Sequence, residues 1–363
     1  MQSFEAQNFR NLAQAEFLPC PGVNVIFGEN GQGKTNLIEA LWLFTGCRSF
    51  RGADNTELLT HGQSTARLAL TFCSNAREQT ASLALTQKKR LLHLNGFAEP
   101  TPRRMLGVFP AVAFTPATLS LAQGGPGERR RFIDVALSML TPGYAVRLSK
   151  YLKALAQRNA LLRQAAPSPE MLEVWDAALA QSAAALTNAR LRWLAQLTPL
   201  AQEFYAGISA AREVLRLRFA PLGEGETAPG AEVYLAALRR ARPTDQRCRM
   251  TTIGPHRDDL VLTLDEKPLR IFGSQGQQRS AALALKLAEA TVLRAATAEQ
   301  PIALLDDVLS ELDACRQRDL LRYLEGWQVF LTCCEPSHTL HGQAGKVFLM
   351  AGGKSTAHIT KTL

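Results

Sequence analysis

The sequence predicts an α/β fold in which N- and C-terminal segments together build one domain around an inserted helical lobe. Three observations predict this class: a glycine-rich phosphate-binding pattern lies between a strand-like and a helical segment, an Ala- and Leu-rich helical stretch follows, and a later apolar strand ends in two carboxylates. We expect a discontinuous domain over 1–124 and 246–363, a helical lobe over 125–245, and no long coiled coil, since sustained heptads are absent.

The N-terminal segment predicts strands that lead into a helix. Phenylalanines recur through residues 1–22, and the apolar run 23–27 stops at a glycine. Residues 36–44 repeat apolar side chains at helical spacing, so the local unit is strand, loop and helix. Residues 65–95 alternate apolar and polar side chains, which predicts an antiparallel meander with a hairpin turn at 95–96.

The loop between that strand and helix fits the phosphate-binding pattern GxxxxGK[ST] over residues 28–35. Its glycines let backbone N–H groups wrap a β-phosphate without a Cβ in the way, and the helix N-terminus adds partial positive charge. The Lys34 ammonium can reach the β- and γ-phosphate oxygens, and the Thr35 hydroxyl can ligate Mg²⁺. The predicted nucleotide contacts of this segment are Gly28, Asn30, Gly31, Gly33, Lys34, Thr35 and Asn36.

Composition changes near the Gly- and Pro-rich break at 124–127, beyond which helices dominate. Helical spacing over 128–164, interrupted at 141–143, and over 170–204 predicts a helical hairpin that packs as a compact lobe. The remaining predicted elements are a strand at 214–219, strands from about residue 249, a long helix over 278–298, and strands at 302–305 and 329–332.

A second anion-binding helix start is predicted where the long helix begins. Ser274, with Gly276 and Gln277 after it, places exposed N–H groups at the start of that helix. One subunit has no need of two such sites, so we expect this loop to bind the γ-phosphate of a nucleotide held by a partner subunit. An ordinary N-cap with glutamine side chains is the structural alternative. The polar turn at 310–313 would belong to the same interface.

The apolar strand at 302–305 leads into two adjacent carboxylates. Asp306 can hold the Mg²⁺ shell together with Thr35, and Asp307 can orient or deprotonate an attacking water. A strand followed by a helix-capping Asp pair is the alternative. The phosphate-binding loop upstream favours the catalytic interpretation, with Lys34, Asp306 and Asp307 as the predicted catalytic residues.

One further loop combines metal-ligating residue types. His256 lies beside Asp258 and Asp259. One His and two acids on a single loop lack the further partner that a metal site needs, so a structural loop is the preferred interpretation.

Length and composition exclude several classes of protein. With 363 residues, 46% of them hydrophobic and 20% charged, the chain is too long for one small domain and too apolar to be disordered. No apolar run approaches the ~20 residues that span a bilayer, so we expect a cytoplasmic protein. The seven cysteines lack CxxC spacing, and we expect free, mostly buried thiols instead of disulfides or zinc ligands.

The charge balance favours a polyanionic partner. Lys and Arg number 41 against 32 Asp and Glu, a net charge of +9, which suits nucleic acid or an acidic membrane surface. Any one basic cluster is most simply a solvated face, and only their number makes a phosphate-backbone footprint reasonable. The candidate DNA contacts are Arg103, Arg104, Arg129, Arg130 and Arg131, and further basic clusters lie at 88–90 and 239–242.

Taken together, these motifs resemble the RecF family of ABC-type ATPases, whose heads are similar to those of SMC and Rad50 proteins. The resemblance covers essentially the whole chain and rests on many ordered matches. The matching segments are residues 8–11, 28–35, 48–51, 125–134, 254–259, 274–279 and 304–313.

The resemblance implies specific roles for these segments. It implies an ABC-type ATPase head with Walker A at 28–35, Walker B at Asp306, Asp307 as the hydrolytic carboxylate, a signature loop at 274–278 and a D-loop at 310–313. It also places Arg10 and Asn11 near the nucleotide, although an arginine on an edge strand is more often only solvated. Arg48 and Arg51 could supply positive charge to either the γ-phosphate or DNA.

The resemblance also implies cofactors and partners. ATP and Mg²⁺ would drive formation of a homodimer that clamps duplex DNA near a single-strand junction, and weak, DNA-stimulated hydrolysis would release it. Cooperation with RecO and RecR in loading RecA onto gapped DNA, at the nucleoid, is implied in the same way.

Two other functions stay open from the residues. A transporter ATPase subunit would use the same phosphate-binding loop, but residues 332–334 are Thr-Cys-Cys where transporters usually place a switch histidine, and the arginine-rich lobe does not suit a membrane partner. A small-molecule kinase would leave the loop at 274–278 and the turn at 310–313 without a role.

Overall fold

The computed structural model describes residues 1–221, 229–334 and 344–358. The chain divides into two compact units, Met1–Ser120 with Leu285–Leu363, and Leu121–Ala284. The predicted lobe over 125–245 falls within the second unit. That unit continues to Ala284 and includes the strand at Asp259–Leu264, which pairs with the strand at Leu215–Ala220.

The described residues form runs of strands near both ends of the chain and a run of helices between them. The strands are β1 Ser3–Phe9, β2 Leu12–Phe17, β3 Val23–Phe27, β4 Thr65–Ser74, β5 Arg77–Thr86, β6 Arg90–Leu94, β7 Phe97–Glu99, β8 Ala111–Phe114, β9 Leu215–Ala220, β10 Asp259–Leu264, β11 Lys267–Pro268, β12 Ile302–Asp306, β13 Val329–Cys333, β14 Ala344–Ala351 and β15 Lys354–His358. The helices are α1 Lys34–Leu43, α2 Pro116–Leu119, α3 Pro126–Leu140, α4 Tyr144–Leu162, α5 Pro169–Ser209, α6 Ala231–Cys248, α7 Leu269–Phe272, α8 Gln275–Thr297 and α9 Ala314–Tyr323.

Two six-stranded sheets form the first unit. The antiparallel sheet has the order β2-β1-β4-β5-β6-β7 and confirms the predicted meander, with left-handed Asn95 and Gly96 at the β6–β7 turn. The second sheet has the order β15-β14-β3-β13-β12-β8, and all its neighbours are parallel except the edge pair β14–β15. Because parallel strands end at one edge of a sheet, the segments that follow β3, β12 and β13 meet there.

The parallel sheet is buried because its strands are apolar on both faces. Every residue of β8 and β12 is buried, as continuous hydrophobic runs in parallel sheets require. Helix α1 packs on β12 and β13 and buries nearly all of its side chains, including the charged Lys34 and Glu39. A buried, closely packed helix therefore follows the loop that precedes α1.

Helices dominate the second unit, together with the antiparallel sheet β11-β10-β9. The predicted interruption at 141–143 separates α3 from α4, where Gly143 has a φ of 77°. Helix α5 is 41 residues long and packs against both α4 and α6, so the described residues form a compact helical hairpin and no extended coiled-coil arm. The sequence pattern predicts no element over 231–248, which is α6 in the structure.

Buried arginines tie the helices of the second unit together. Arg158, fully buried, donates to Asp176 and Asp245, each at 2.6 Å. Arg190 pairs with Asp134 at 2.9 Å and with Asp258 at 3.0 Å. These arginines therefore form ion pairs within the fold of this unit. Removing one partner of such a buried pair would leave an uncompensated charge and destabilise the fold.

Two whole-chain expectations have clear outcomes. All seven cysteines are free, as predicted, but four are exposed and three are half-buried, so the expectation that most are buried is wrong. Burial raises the pKa of Cys47 to about 11 and that of Cys333 to about 12. Within the described ranges, no helix is both long and apolar enough to cross a membrane.

Candidate nucleotide-binding site

The glycine-rich loop over 28–33 joins β3 to α1, as the phosphate-binding pattern predicts. Gly28 has a φ of 151°, and a Cβ there would lie 2.4 Å from the backbone oxygen of Met350. Gly33 has a φ of 105°, in the region that side chains other than glycine disfavour. The loop can therefore turn tightly and present its N–H groups at the start of α1.

Lys34 is buried at the first position of α1. Its Nζ donates to the backbone oxygens of Gly28 at 2.5 Å and Glu29 at 2.9 Å, and lies 3.8 Å from Cys334 Sγ. The loop thus holds an ammonium group against its own backbone, where a polyphosphate would meet both the cation and the N–H groups.

Thr35 and Asp306, the predicted metal ligands, are in contact. Thr35 Oγ1 donates to Asp306 Oδ1 at 2.8 Å, and the same carboxylate oxygen lies 3.1 Å from Thr332 Oγ1. Burial raises the pKa of Asp306, and the hydrogen bonds from the two threonines oppose that rise. A hydroxyl and a carboxylate fit Mg²⁺, which takes oxygen ligands and completes its shell with waters and phosphates.

Asp307 follows directly after β12 in an unusual backbone conformation. Its φ of 52° lies in the left-handed region, and its N–H donates to Thr332 Oγ1 at 2.9 Å. The side chain is half-buried beside Asp306. Asp313, not the Asp pair, caps the next helix by accepting the N–H groups of Cys315 and Arg316. The helix-capping alternative for the pair is therefore wrong.

A hydrogen-bonded network of side chains contacts the phosphate-binding loop. Asn11 Nδ2 donates to the backbone oxygen of Gly31 at 2.8 Å, and Asn36 Nδ2 donates to Asn11 Oδ1 at 2.7 Å. Arg51 in turn donates to Asn36 Oδ1 at 2.9 Å. The structure brings Asn11 and Asn36, two of the predicted nucleotide contacts, to the phosphate-binding loop, and Arg51 contacts Asn36.

Arg10 lies in the same region but is held by a buried carboxylate. Its guanidinium makes a two-point contact with Glu39, at 3.0 and 3.1 Å, and Glu39 also accepts from Ser49 and lies 3.7 Å from Arg51. Glu39 was missed by the sequence analysis. The available signal was a charged residue within the apolar face of α1.

The loop before α8 belongs to the second unit and forms a reciprocal cap. Ser274 Oγ accepts the N–H of Gln277 at 3.2 Å, and Gln277 Oε1 accepts the N–H of Ser274 at 2.6 Å. Ser274 is exposed and Gly276 is half-buried. The N-cap alternative is therefore realised. A serine hydroxyl that accepts one hydrogen bond can still donate its own proton to a further acceptor.

The predicted DNA contacts differ in exposure. Arg129 is buried and pairs with Asp259 at 2.8 and 2.9 Å, so the expectation that it contacts DNA does not fit its commitment to the fold. Arg130 is half-buried and donates to the backbone oxygen of Asp258 at 2.7 Å. Three candidates are exposed, namely Arg103, Arg104 and Arg131.

The loop at 254–259 makes internal contacts with each of its three candidate ligands. His256 Nδ1 lies 2.5 Å from Tyr151 Oη, Asp258 pairs with Arg190, and Asp259 pairs with Arg129. Burial lowers the pKa of His256. Burial also raises that of Asp258 to about 6. Among the described residues, no group of three or more His, Cys, Asp or Glu side chains is arranged to hold a metal ion.

Comparison with known proteins places this arrangement in one family. Residues 1–350 match the family described as RecF/RecN/SMC N terminal domain. The "DNA replication and repair protein RecF" of Ruminiclostridium cellulolyticum is 34% identical over 359 residues, covering 96% of each chain. The protein of the same description from Syntrophotalea carbinolica is 37% identical over 332 residues, covering 91% of each.

Solved structures agree with the sequence matches. The chain is similar to the recombination mediator protein RecF in the RecFOR pathway with ATP, at a TM-score of 0.90 and 31% identity over 98% of this chain and 97% of that one. It is also similar to the Smc head domain of Pyrococcus furiosus bound to the C-terminal domain of ScpA, at a TM-score of 0.58 and 17% identity over 100% and 96%. The second similarity concerns the fold alone.

Proposed function

The chain belongs to the RecF family of DNA replication and repair proteins, and on that premise we propose that it clamps DNA in an ATP-dependent manner during recombinational repair and replication restart. The observation that carries the proposal is the 2.8 Å contact between Thr35 and Asp306, beside the buried Lys34, because it joins the two nucleotide-binding motifs at one sheet edge. The transporter alternative is not favoured, because the matched relatives are replication and repair proteins.

The proposed chemistry is hydrolysis of the γ-phosphate. The ammonium of Lys34 neutralises charge on the β- and γ-phosphates, while the N–H groups of the loop bind their oxygens. Thr35 and Asp306 would hold Mg²⁺, which supplies further positive charge to the phosphates. The Asp307 carboxylate orients the attacking water and accepts its proton.

Two copies of the chain would complete each site. We assign Ser274, Gly276 and Gln277 of one subunit to the γ-phosphate held by the other, since the start of α8 combines a hydroxyl donor with the positive end of a helix dipole. Nucleotide would then join the two subunits, and hydrolysis would separate them and release DNA.

DNA near a single-strand junction is the proposed partner, together with RecO and RecR, in support of RecA loading at the cytoplasmic nucleoid. The exposed Arg103 and Arg104 are the proposed phosphate contacts in the first unit, and Arg131 is proposed in the second. Arg129 is left out of this set because it is buried against Asp259.

Phosphate release measured with and without duplex DNA tests the function. We expect slow hydrolysis of ATP that duplex DNA accelerates, and retention of DNA that requires ATP. Lys34→Ala, assayed in parallel, controls for a contaminating ATPase. The clamp would be contradicted if duplex DNA did not change the rate of ATP hydrolysis and ATP did not change the affinity for DNA.

A further inference from the structure

Strand β13 lies between the strands that carry the two nucleotide-binding motifs, β3 and β12, and its last residues face both. Thr332 is 1% exposed and is the register partner of Asp306 across the parallel pair β12–β13. We propose that Thr332 is a positioning residue for hydrolysis, whose hydroxyl holds the Asp306 carboxylate and the Asp307 backbone in their working geometry. The assignment rests on the proposed ATPase activity.

The hydroxyl of Thr332 can serve both neighbours at once. Its oxygen accepts the N–H of Asp307 at 2.9 Å, and its proton can be donated to Asp306 Oδ1 at 3.1 Å. The backbone oxygen of Leu305 lies farther away, at 3.5 Å. A hydroxyl is donor and acceptor together, so one side chain makes both bonds without competition.

The bond to Asp307 matters because of that residue's backbone. A φ of 52° is disfavoured for a residue with a Cβ and persists only where surrounding contacts hold it. The N–H of Asp307 donates to Thr332, so the acceptor helps to hold the left-handed turn that aims the Asp307 carboxylate. Without that acceptor, the turn can relax and the carboxylate moves.

The bond to Asp306 links β13 to the contact between Asp306 and Thr35 at the edge of the sheet. Thr35 on α1 and Thr332 on β13 both contact Asp306 Oδ1, so the carboxylate is held from the side of each neighbouring element. At the same terminus, Cys334 Sγ lies 3.8 Å from Lys34 Nζ and 3.1 Å from Asn30 Oδ1. The end of β13 therefore spans the two motifs.

Thr332→Val and Thr332→Ser test the role. Valine has the shape of threonine without the hydroxyl, so we expect kcat for ATP hydrolysis to fall by about tenfold or more while the Kd for ATP stays within about twofold. Serine keeps the hydroxyl and should restore most of the lost kcat. Thr45→Val is the matched control, because Thr45 is a buried threonine whose hydroxyl bonds to Trp42 and Cys47.

A double variant separates positioning from general packing. If Thr332 acts through Asp307, then adding Thr332→Val to Asp307→Asn should lower single-turnover hydrolysis by less than about twofold further, since the group being positioned is already lost. An equal proportional loss in both backgrounds would overturn the part of the assignment that concerns Asp307 and leave the contact with Asp306 as the cause. Parental kcat in Thr332→Val would overturn the whole assignment.

The role of Thr332 can be tested even if Thr332→Val is unstable, and its failure can be told apart from failure of the proposed ATPase activity. If Thr332→Val melts below the assay temperature, Thr332→Ala and Thr332→Ser replace it, because they differ only in the hydroxyl, and equal kcat values for that pair would count against the role. An unsubstituted protein that releases no phosphate would contradict the proposed ATPase activity itself. A hydrolysing protein that is indifferent to Thr332 would remove this assignment alone.

Discussion

At the scale of single residues, Lys34 places its ammonium group against the backbone carbonyls of the phosphate-binding loop. We expect Lys34→Ala to lower ATP hydrolysis by about a hundredfold or more, because backbone N–H groups alone cannot neutralise the β- and γ-phosphates. Phosphate release and fluorescent-nucleotide binding measure the effect, and Lys153→Ala, at an exposed position of α4, is the control. Parental hydrolysis in Lys34→Ala would remove the loop from the proposed site.

Asp307→Asn should separate binding from hydrolysis. Asp306 and Thr35 keep their contact in this variant, so ATP and Mg²⁺ should still bind, whereas the amide cannot accept the proton of the attacking water. We expect a dimer that persists in ATP during sedimentation. Rapid return to monomer would show that another group activates the water.

The residues of the candidate site differ in whether their positions could be predicted from the sequence. Lys34 and Thr35 belong to a pattern with fixed spacing and a strand–loop–helix context, so their positions could be predicted. Thr332 could not, because it reaches Asp306 through the register of β12 and β13, which no local pattern specifies. The sequence marks Glu39 only as a charged residue within the apolar face of α1, and its partner Arg10, 29 residues earlier in the chain, is not specified by any local pattern.

At the scale of elements, the start of α8 combines a helix cap at Ser274 with the proposed contact to the γ-phosphate held by the partner subunit. Ser274→Arg should leave ATP affinity of the monomer nearly unchanged and abolish ATP-induced dimerisation, because a bulky cation would block the facing loop. The lost cap should cost only about 1 kcal/mol of stability. Sedimentation with ATP and nucleotide titration measure the two effects.

Ser168→Arg is the matched control for that change. Ser168 also caps a helix, accepting the N–H of Met171 at 3.2 Å at the start of α5, and is half-buried in the same unit. It should lose similar stability and still dimerise. Loss of ATP binding in Ser274→Arg would instead place Ser274 in its own subunit's site.

Elements with strong periodicity were predicted well and polar helices were not. The hairpin of α4 and α5, the meander and the strand before Asp306 follow from apolar spacing. Helix α6 was missed because Pro243 and a run of arginines interrupt its apolar face. Arg129 looked like a surface cation for a related reason: its partner Asp259 lies 130 residues away in the chain.

At the scale of the whole molecule, the basic net charge can be tested as a DNA footprint. We expect Arg103→Glu with Arg104→Glu to weaken duplex binding and to reduce the salt slope of log K by about 2, as for two lost phosphate contacts. Fluorescence anisotropy over a salt series measures both. Lys150→Glu with Lys153→Glu, exposed on α4, makes the same charge change as a control. Equal slopes for the two variants would assign the effect to net charge alone.

Mixing two inactive variants tests the composite site apart from nucleotide affinity. In a heterodimer of Lys34→Ala with Ser274→Arg, one site combines both defects, while the other pairs the intact phosphate-binding loop of the Ser274→Arg chain with the intact signature loop of the Lys34→Ala chain. That intact site should recover part of the ATPase activity that neither variant has alone. The recovered activity should rise with the heterodimer fraction, followed by differently labelled chains on DNA. No recovery, with heterodimers demonstrated, would mean that hydrolysis needs both sites or that Ser274 acts within its own subunit, and the monomer affinity of Ser274→Arg for ATP decides between them.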